Sequence, residues 1–282
     1  MNLHSDDRCA GPKNARVAAI QMISTTRVEE NLNTAAALIA EAVADGAELV
    51  ALPEYFPIMG RRDGDKIAAR EVDGSGPIQD FLAETASKHG IWVIGGSMPL
   101  VASVEDKVLN TCLAFNPQGV RVARYDKIHL FGFQKGEERY NESATIEPGR
   151  QPVTFDAPFG RVGLSICYDL RFPELFRALG EIDLLVLPAA FTEVTGRAHW
   201  EILLRARAIE NQCYAIAAAQ GGVHSSGRRT HGHSMIIDPW GRIVAELPEG
   251  EGVLWADLDP ALLASVRNRL PALRHRVLQC RA

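Results

Sequence analysis

Short apolar runs alternate with stretches of helical periodicity along the whole chain. Apolar runs bounded by Gly, Pro, Asn or Asp are strand candidates. Seven stand out: Arg16–Gln21, Leu49–Pro53, Ile91–Gly95, Thr111–Asn116, Val162–Cys167, Leu184–Pro188 and Tyr214–Ala219. Between the first two, Leu32, Ala36, Ile39 and Val43 recur at helical spacing within Glu29–Ala44, and Asp45-Gly46 supplies the stop. The same periodicity predicts helices at Ile78–Lys88, Pro173–Leu179, Ala198–Asn211 and Pro260–Asn268. Asn116-Pro-Gln-Gly119 and Asp238-Pro-Trp-Gly241 read as β-turns, each followed by a hydrophobic strand. Alternation of this kind is the signature of an α/β fold.

One pattern occurs twice. Glu48-Leu-Val-Ala-Leu-Pro53 and Asp183-Leu-Leu-Val-Leu-Pro188 match position by position, each after a helix. Two similar α/β halves facing each other through their sheets produce such an echo; so does chance, because buried strands that end in Pro are common. Glu54 follows the first copy and Ala189 the second, so the strand pattern itself does not require a carboxylate. No Gly/Ser/Pro-rich linker divides the chain. The expectation is one domain over residues 16–276, between tails at 1–15 and 277–282.

Composition narrows the class. The chain has 282 residues, 46% of them hydrophobic, which is enough for a large core and excludes disorder. Thirty basic against 35 acidic residues give a net charge of −5, the wrong balance for a nucleic-acid binder. The N-terminal stretch Met1–Ala15 is polar and of mixed charge, unlike a signal peptide. No apolar run reaches the ~20 residues that span a bilayer. The five cysteines (Cys9, Cys112, Cys167, Cys213, Cys280) are odd in number and scattered, with no C-x-x-C. That pattern fits a reducing compartment without structural zinc, and the expectation is a cytoplasmic protein.

Three side chains attract chemical attention. Gly163-Leu-Ser-Ile-Cys167 delivers a cysteine at a strand end, just before a helix whose dipole favours a thiolate. Glu54 also stands at a strand end, a suitable place for a general base. Lys127 sits among apolar residues in Tyr125-Asp-Lys-Ile-His-Leu-Phe131, where a fixed ammonium can stabilise an oxyanion. Read singly, each also fits a plainer role: Cys167 as a small core residue, Glu54 as a cap or ion-pair partner, Lys127 as a snorkelling surface lysine. Cys112 and Cys213, inside apolar strands, keep the core reading.

Taken together, Leu52-Pro53-Glu54, Lys127-Ile-His-Leu-Phe131 and Cys167-Tyr-Asp-Leu-Arg-Phe-Pro-Glu174 resemble the motifs of the nitrilase superfamily of carbon–nitrogen hydrolases, in its order and separations. The resemblance covers about Val17 to Arg276. It implies a four-layer α-β-β-α sandwich in a single domain and a Glu-Lys-Cys triad: Glu54 as base, Lys127 as oxyanion stabiliser, Cys167 as nucleophile, with a thioester intermediate. The backbone N–H of Tyr168 is implied as a further oxyanion donor. Many members use a second glutamate between the lysine and cysteine blocks; Glu142 fits best, with Glu137 and Glu138 nearby. No metal or organic cofactor is implied. Members associate as dimers or larger assemblies through their outer helices, and the implied partner is a small amide, with neither nucleic acid nor membrane involved.

Tyr-Asp-Leu-Arg-Phe-Pro-Glu after the cysteine resembles the Nit amidases rather than true nitrilases, which show Trp-Glu there. Asn211-Gln-Cys-Tyr214, Ala217-Ala-Ala-Gln220 and Arg269-Leu-Pro-Ala-Leu-Arg-His-Arg276 are closer to the deaminated glutathione amidases than to the omega-amidases. Such substrates carry carboxylates, so a cationic wall is required. Arg171, four residues after the nucleophile, is suited to bidentate pairing, or alternatively to an ion pair with Glu174 or Asp169. Thr192 offers a hydroxyl at the opposite strand end. Arg197 and His231 depart from the branch pattern of proline and an aromatic residue; Arg197, with Arg228 and Arg229, either extends a cationic rim or faces solvent.

Three rival readings have distinct requirements. A papain-type Cys-His hydrolase needs His199, His224 or His231 against Cys167. A zinc hydrolase needs ligands beyond His231-Gly-His233. A silent binding or scaffold protein leaves the nucleophile and its base without purpose.

Overall fold

The computed structural model describes residues 12–62, 64–135 and 138–278; Cys9, Glu137 and Cys280, and most of both expected tails, lie outside them. The first half runs β1 (Ala15–Gln21), α1 (Val28–Ala44), β2 (Leu49–Ala51), α2 (Gly64–Ala68), α3 (Pro77–His89), β3 (Trp92–Ile94), β4 (Met98–Val101), β5 (Val108–Phe115) and β6 (Arg121–Asp126). A hairpin, β7 (Gly132–Lys135) and β8 (Glu138–Asn141), leads into the second half. There follow β9 (Thr154–Ala157), β10 (Gly160–Leu164), α4 (Pro173–Ala178), β11 (Leu184–Val186), α5 (Glu193–Asn211) and β12 (Tyr214–Ala217). The chain closes with β13 (Ser234–Ile237), β14 (Ile243–Leu247), β15 (Gly252–Leu258) and α6 (Pro260–Arg269).

Two sheets result. One has the order β15-β1-β2-β3-β5-β4, with β6 added beside β5; the other has β14-β13-β12-β11-β10-β9. The repeated Leu-Val-Ala-Leu-Pro-like segments form β2 and β11, and each is the middle of three parallel strands. The echo is therefore structural. Strands buried on both faces read as continuous apolar runs, which is why both copies lack alternation.

Side-chain alternation assigns the layers. Val17 and Ala19 of β1, with Leu49 and Ala51 of β2, share one core with Leu164, Leu184 and Val186 of the opposite sheet. Ala18, Ile20 and Val50 point the other way, into a second core with Ala35 and Ile39 of α1 and Leu82 of α3. Each such fully buried Ile or Leu stabilises the fold by about 1.5–3 kcal/mol. Trp200 and Leu204 of α5 and Phe176 of α4 cover the second sheet. The outcome is the α-β-β-α sandwich, one domain with its two sheets face to face.

The element ends differ from the sequence reading where side chains compete for the backbone. The strand expected to reach Cys167 stops at Leu164, because the Asp169 carboxylate accepts the Ile166 N–H (Oδ2, 2.8 Å) and turns the chain into a 3₁₀ segment, Cys167–Arg171. The helix expected from Ala198 begins at Glu193, because the Thr192 hydroxyl accepts from Thr195 N as its N-cap. β1 begins at Ala15, one residue inside the expected tail. The β7–β8 hairpin carries no apolar run and escapes the periodicity.

Candidate active site

Glu54, Lys127, Glu142 and Cys167 converge at the strand ends between the two sheets. Glu54 follows β2 by three residues and is 1% exposed. Its position depends on a close backbone approach: a Cβ on Gly96 (φ +53°) would stand 2.1 Å from the Pro53 carbonyl oxygen. Only glycine permits this contact without strain. Lys127 follows β6 and is likewise 1% exposed. Its backbone is pinned on both sides, with N–H donating to Asn110 O (2.9 Å) and its carbonyl accepting from Gly149 N (2.8 Å). The lysine does not snorkel.

The ammonium is held by two carboxylates. Lys127 Nζ lies 2.9 Å from Glu54 Oε1 and 2.8 Å from Glu142 Oε2. Burial alone pushes an ammonium pKa down, but the Glu142 and Glu54 charges outweigh it and hold Lys127 well above its ordinary value. Against the same cost of burial, the Lys127 charge and its hydrogen bond, with the Phe131 N–H, hold the Glu142 carboxyl below its ordinary value. Glu142 stands in a 3₁₀ turn, Glu142–Ala144, directly after the β7–β8 hairpin. Its Oε2 accepts from Phe131 N (2.7 Å) and its Oε1 from Tyr55 OH (2.9 Å). Of the neighbouring glutamates, Glu138 opens β8, where only its backbone is described.

Cys167 lies at the start of the 3₁₀ segment with φ +49°, a left-handed conformation uncommon for a residue with a side chain. Its N–H donates to the carbonyl of Pro188, the end of the second repeated segment (2.9 Å). The turn's first hydrogen bond runs from Asp169 N to Ile166 O (3.0 Å), so the Tyr168 N–H precedes that ladder. Burial, then the Glu54 carboxylate, pushes the Cys167 thiol well above its ordinary range, while Lys127 pulls the other way. Desolvation in a site this closed outweighs the dipole of one short turn.

The space above the thiol is small, about 10 Å³, and Arg171, Thr192, Phe191, Phe131 and Arg228 stand around it. Arg171 lies over the rings of Tyr168 (5.5 Å) and Phe191 (5.3 Å) and makes a 3.1 Å contact with His199 Nδ1. Among the described residues no ion pair with Glu174 or Asp169 holds it; Asp169 is instead engaged by Tyr125 OH (2.7 Å) and His129. Thr192 both caps α5 and faces the cavity.

Arg197 is placed elsewhere. Together with Arg229 it pairs with Glu193 and lines a separate cleft, while Arg228 alone of the three reaches the cavity around Cys167. The i,i+4 spacing of Glu193 and Arg197 on α5 accounts for this. The histidines required by rival readings also stand apart. His224 bridges Ser24 O and Thr230 Oγ1 (2.9 and 2.8 Å), and His231 stacks on His233, which pairs with Glu246.

Two residues of the site were not singled out from sequence. Asn110, 1% exposed, donates from Nδ2 to Glu54 Oε1 (3.0 Å), and Tyr55 holds Glu142. A signal existed for the first: an amide in the middle of the apolar run of β5 needs a buried partner. Tyr55 had none, since its partner is 87 residues away.

Residues 16–268 match the carbon–nitrogen hydrolase family. A deaminated glutathione amidase of Synechocystis sp. is 45% identical over 266 residues, covering 92% of this chain and 97% of that one. Another from Yersinia enterocolitica is 42% identical, covering 93% of each. Among solved structures, Saccharomyces cerevisiae Nit3, a member of branch 10 of the nitrilase superfamily, superposes with a TM-score of 0.86 at 32% identity, covering 95% of this chain and all of that one.

Proposed function

The chain belongs to the carbon–nitrogen hydrolase family, and from that premise we propose that it is a cysteine amidase acting on deaminated glutathione, with Glu54, Lys127, Cys167 and Glu142 as its reacting and positioning groups. The observation that carries this reading is the buried Lys127 ammonium, clamped between Glu54 and Glu142 beside the turn that presents Cys167. The relatives named for this substrate support the choice of amide.

The reaction follows from the side chains. Glu54 takes the thiol proton as the sulfur attacks the amide carbonyl, forming the C–S bond and moving the carbonyl π electrons onto oxygen. A lysine ammonium has three donors, of which Glu54 and Glu142 engage two; the third, with the Tyr168 N–H, stabilises the oxyanion. Protonated Glu54 then gives its proton to the amide nitrogen, the C–N bond breaks, and the amine leaves behind a thioester. Glu54 next deprotonates a water, the hydroxide attacks the thioester, and the sulfur departs and regains its proton. Glu142 keeps Lys127 aimed, and Arg171 pairs with the carboxylate of the acyl half while Thr192 donates its hydroxyl beside it.

The setting is part of the proposal. The buried thiols of Cys112, Cys167 and Cys213 are free, which favours a reducing cytoplasm. No helix among the described residues is long and apolar enough to cross a membrane. Ile202, 70% exposed on α5, supports association into a dimer or larger assembly through the outer helices.

The test is release of cysteinylglycine or ammonia from deaminated glutathione, α-ketoglutaramate and glutamine by the purified protein. Deaminated glutathione is expected to be the preferred substrate, and Cys167→Ala to abolish turnover. Preference for a plain nitrile or an N-carbamoyl amino acid overturns the assignment.

A further inference from the structure

Beside the small space over Cys167 lies a second cavity of about 370 Å³ that shares Phe131, Glu142 and Arg228 with it. One wall is the segment after β2, carrying Arg61, Arg62 and Lys66; Ser226 and Arg228 form another. The lining is strongly cationic. Arg62 has Asp65 as a partner at 3.8 Å, and the Glu142 charge is taken up by Lys127. Among the described residues neither Arg61 nor Arg228 pairs with a carboxylate. Among the described residues Arg228 makes weak contacts, Nη2 to Ala190 O at 3.4 Å and Nη1 to Met59 Sδ at 3.7 Å, with its guanidinium over the Tyr140 ring.

Two buried polar atoms of these residues have no hydrogen-bond partner among the described residues: Arg228 Nε and Ser226 Oγ. A buried donor left unsatisfied is costly, and more so when it is charged. Arg61 and the Arg228 guanidinium thus bring positive charge not matched by a carboxylate among the described residues to one cavity next to Cys167, which is what an anionic guest would relieve.

We propose that this vestibule is a carboxylate subsite for the leaving half of the substrate, with Arg228, Ser226 and Arg61 receiving the far carboxylate of an amide-linked dipeptide. The inference rests on the amidase reading above and extends it. Position separates the two halves: the acyl half, which becomes bonded to sulfur, faces Arg171 and Thr192, and the leaving half extends past Phe131, Glu142 and Arg228 into the adjoining cavity of about 370 Å³, a size that takes a small ligand. Planar guanidinium matches carboxylate in a bidentate fork, so the subsite fixes direction as well as charge. The vestibule thereby selects long acid-tailed amides over the bare primary amide.

The experiment compares three amides of one α-keto acid: the dipeptide amide with its free C-terminal carboxylate, the same dipeptide capped as a carboxamide, and the unsubstituted amide. The wild-type protein is expected to prefer the free acid over the capped form at least tenfold in kcat/KM, with the preference falling as salt rises. Arg228→Gln and, separately, the surface-exposed Arg61→Gln should shrink that ratio by about tenfold, mainly through KM on the free acid. Ser226→Ala should act in the same direction by a smaller factor. Turnover of the dipeptide amides with a ratio near one, or a ratio unmoved in both arginine variants, overturns the subsite while leaving the amidase reading standing. Absence of turnover on all three amides overturns both.

Discussion

Asp169 Oδ1 lies 2.7 Å from His129 Nδ1 and 3.1 Å from His129 N, so a single fully buried carboxylate joins the segment after Lys127 to the turn that carries Cys167. Its other oxygen accepts from Ile166 N (2.8 Å) and Tyr125 OH (2.7 Å). The His129 ring stacks on Phe172 at 3.8 Å, closing the connection from the far side. The separation of Lys127 and Cys167 is therefore fixed by one side chain rather than by the sheets alone.

Asp169→Asn turns an amide NH2 toward converging donors. A loss of about 3 kcal/mol in urea unfolding is expected, from an uncompensated buried network, together with lower kcat. Tyr125→Phe, which removes one donor, should cost about 1–2 kcal/mol. An unchanged unfolding midpoint for Asp169→Asn would show that the carboxylate does not hold the turn.

Lys127→Met leaves Glu54 and Glu142 facing one another across a site with no cation between them. Steady-state kinetics should show kcat down by roughly 10²–10³-fold or more, the scale of losing an oxyanion donor. Activity within tenfold of wild type would remove Lys127 from the mechanism.

Since burial and the Glu54 charge keep Cys167 protonated, alkylation by iodoacetamide should be slow at neutral pH and rise only above the ordinary thiol range. Glu54→Gln removes the neighbouring negative charge. It should speed alkylation while lowering turnover by about 10²–10⁴-fold, the contribution of a general base. The opposite signs are the diagnostic; slower alkylation in the variant contradicts the electrostatic account.

Acid stability should report His224. Burial lowers its pKa from 6.5 to about 4, between Ser24 O and Thr230 Oγ1. The unfolded chain takes up the proton first as pH falls, so this stability is fully present above pH 6.5 and is lost toward pH 4. The loss amounts to about 3 kcal/mol over that window. Urea midpoints measured across it should fall less steeply in His224→Asn, and an equal slope would place the titration elsewhere.

Much of the site was legible before any coordinates. Glu54 and Cys167 end apolar segments, and Lys127 sits in one, so periodicity places them at the edge of a sheet. Glu142 was accessible only through family resemblance, because the hairpin that positions it has no apolar pattern. Arg197 and Arg228 looked alike as exposed arginines near the presumed mouth; Glu193 one helical turn away captured the first, while the second entered the cavity.

By itself the sequence determined the α/β class and the doubled strand pattern, which are local properties set by side-chain periodicity, and through motif resemblance it pointed to Glu54, Lys127 and Cys167 in that order. The tertiary structure alone decided that Lys127 is clamped between two carboxylates and is not a surface residue, that Asn110 and Tyr55 hydrogen-bond the glutamates, and that burial pushes the Cys167 thiol up. Each of those depends on desolvation and on partners tens of residues away, which no window of sequence contains.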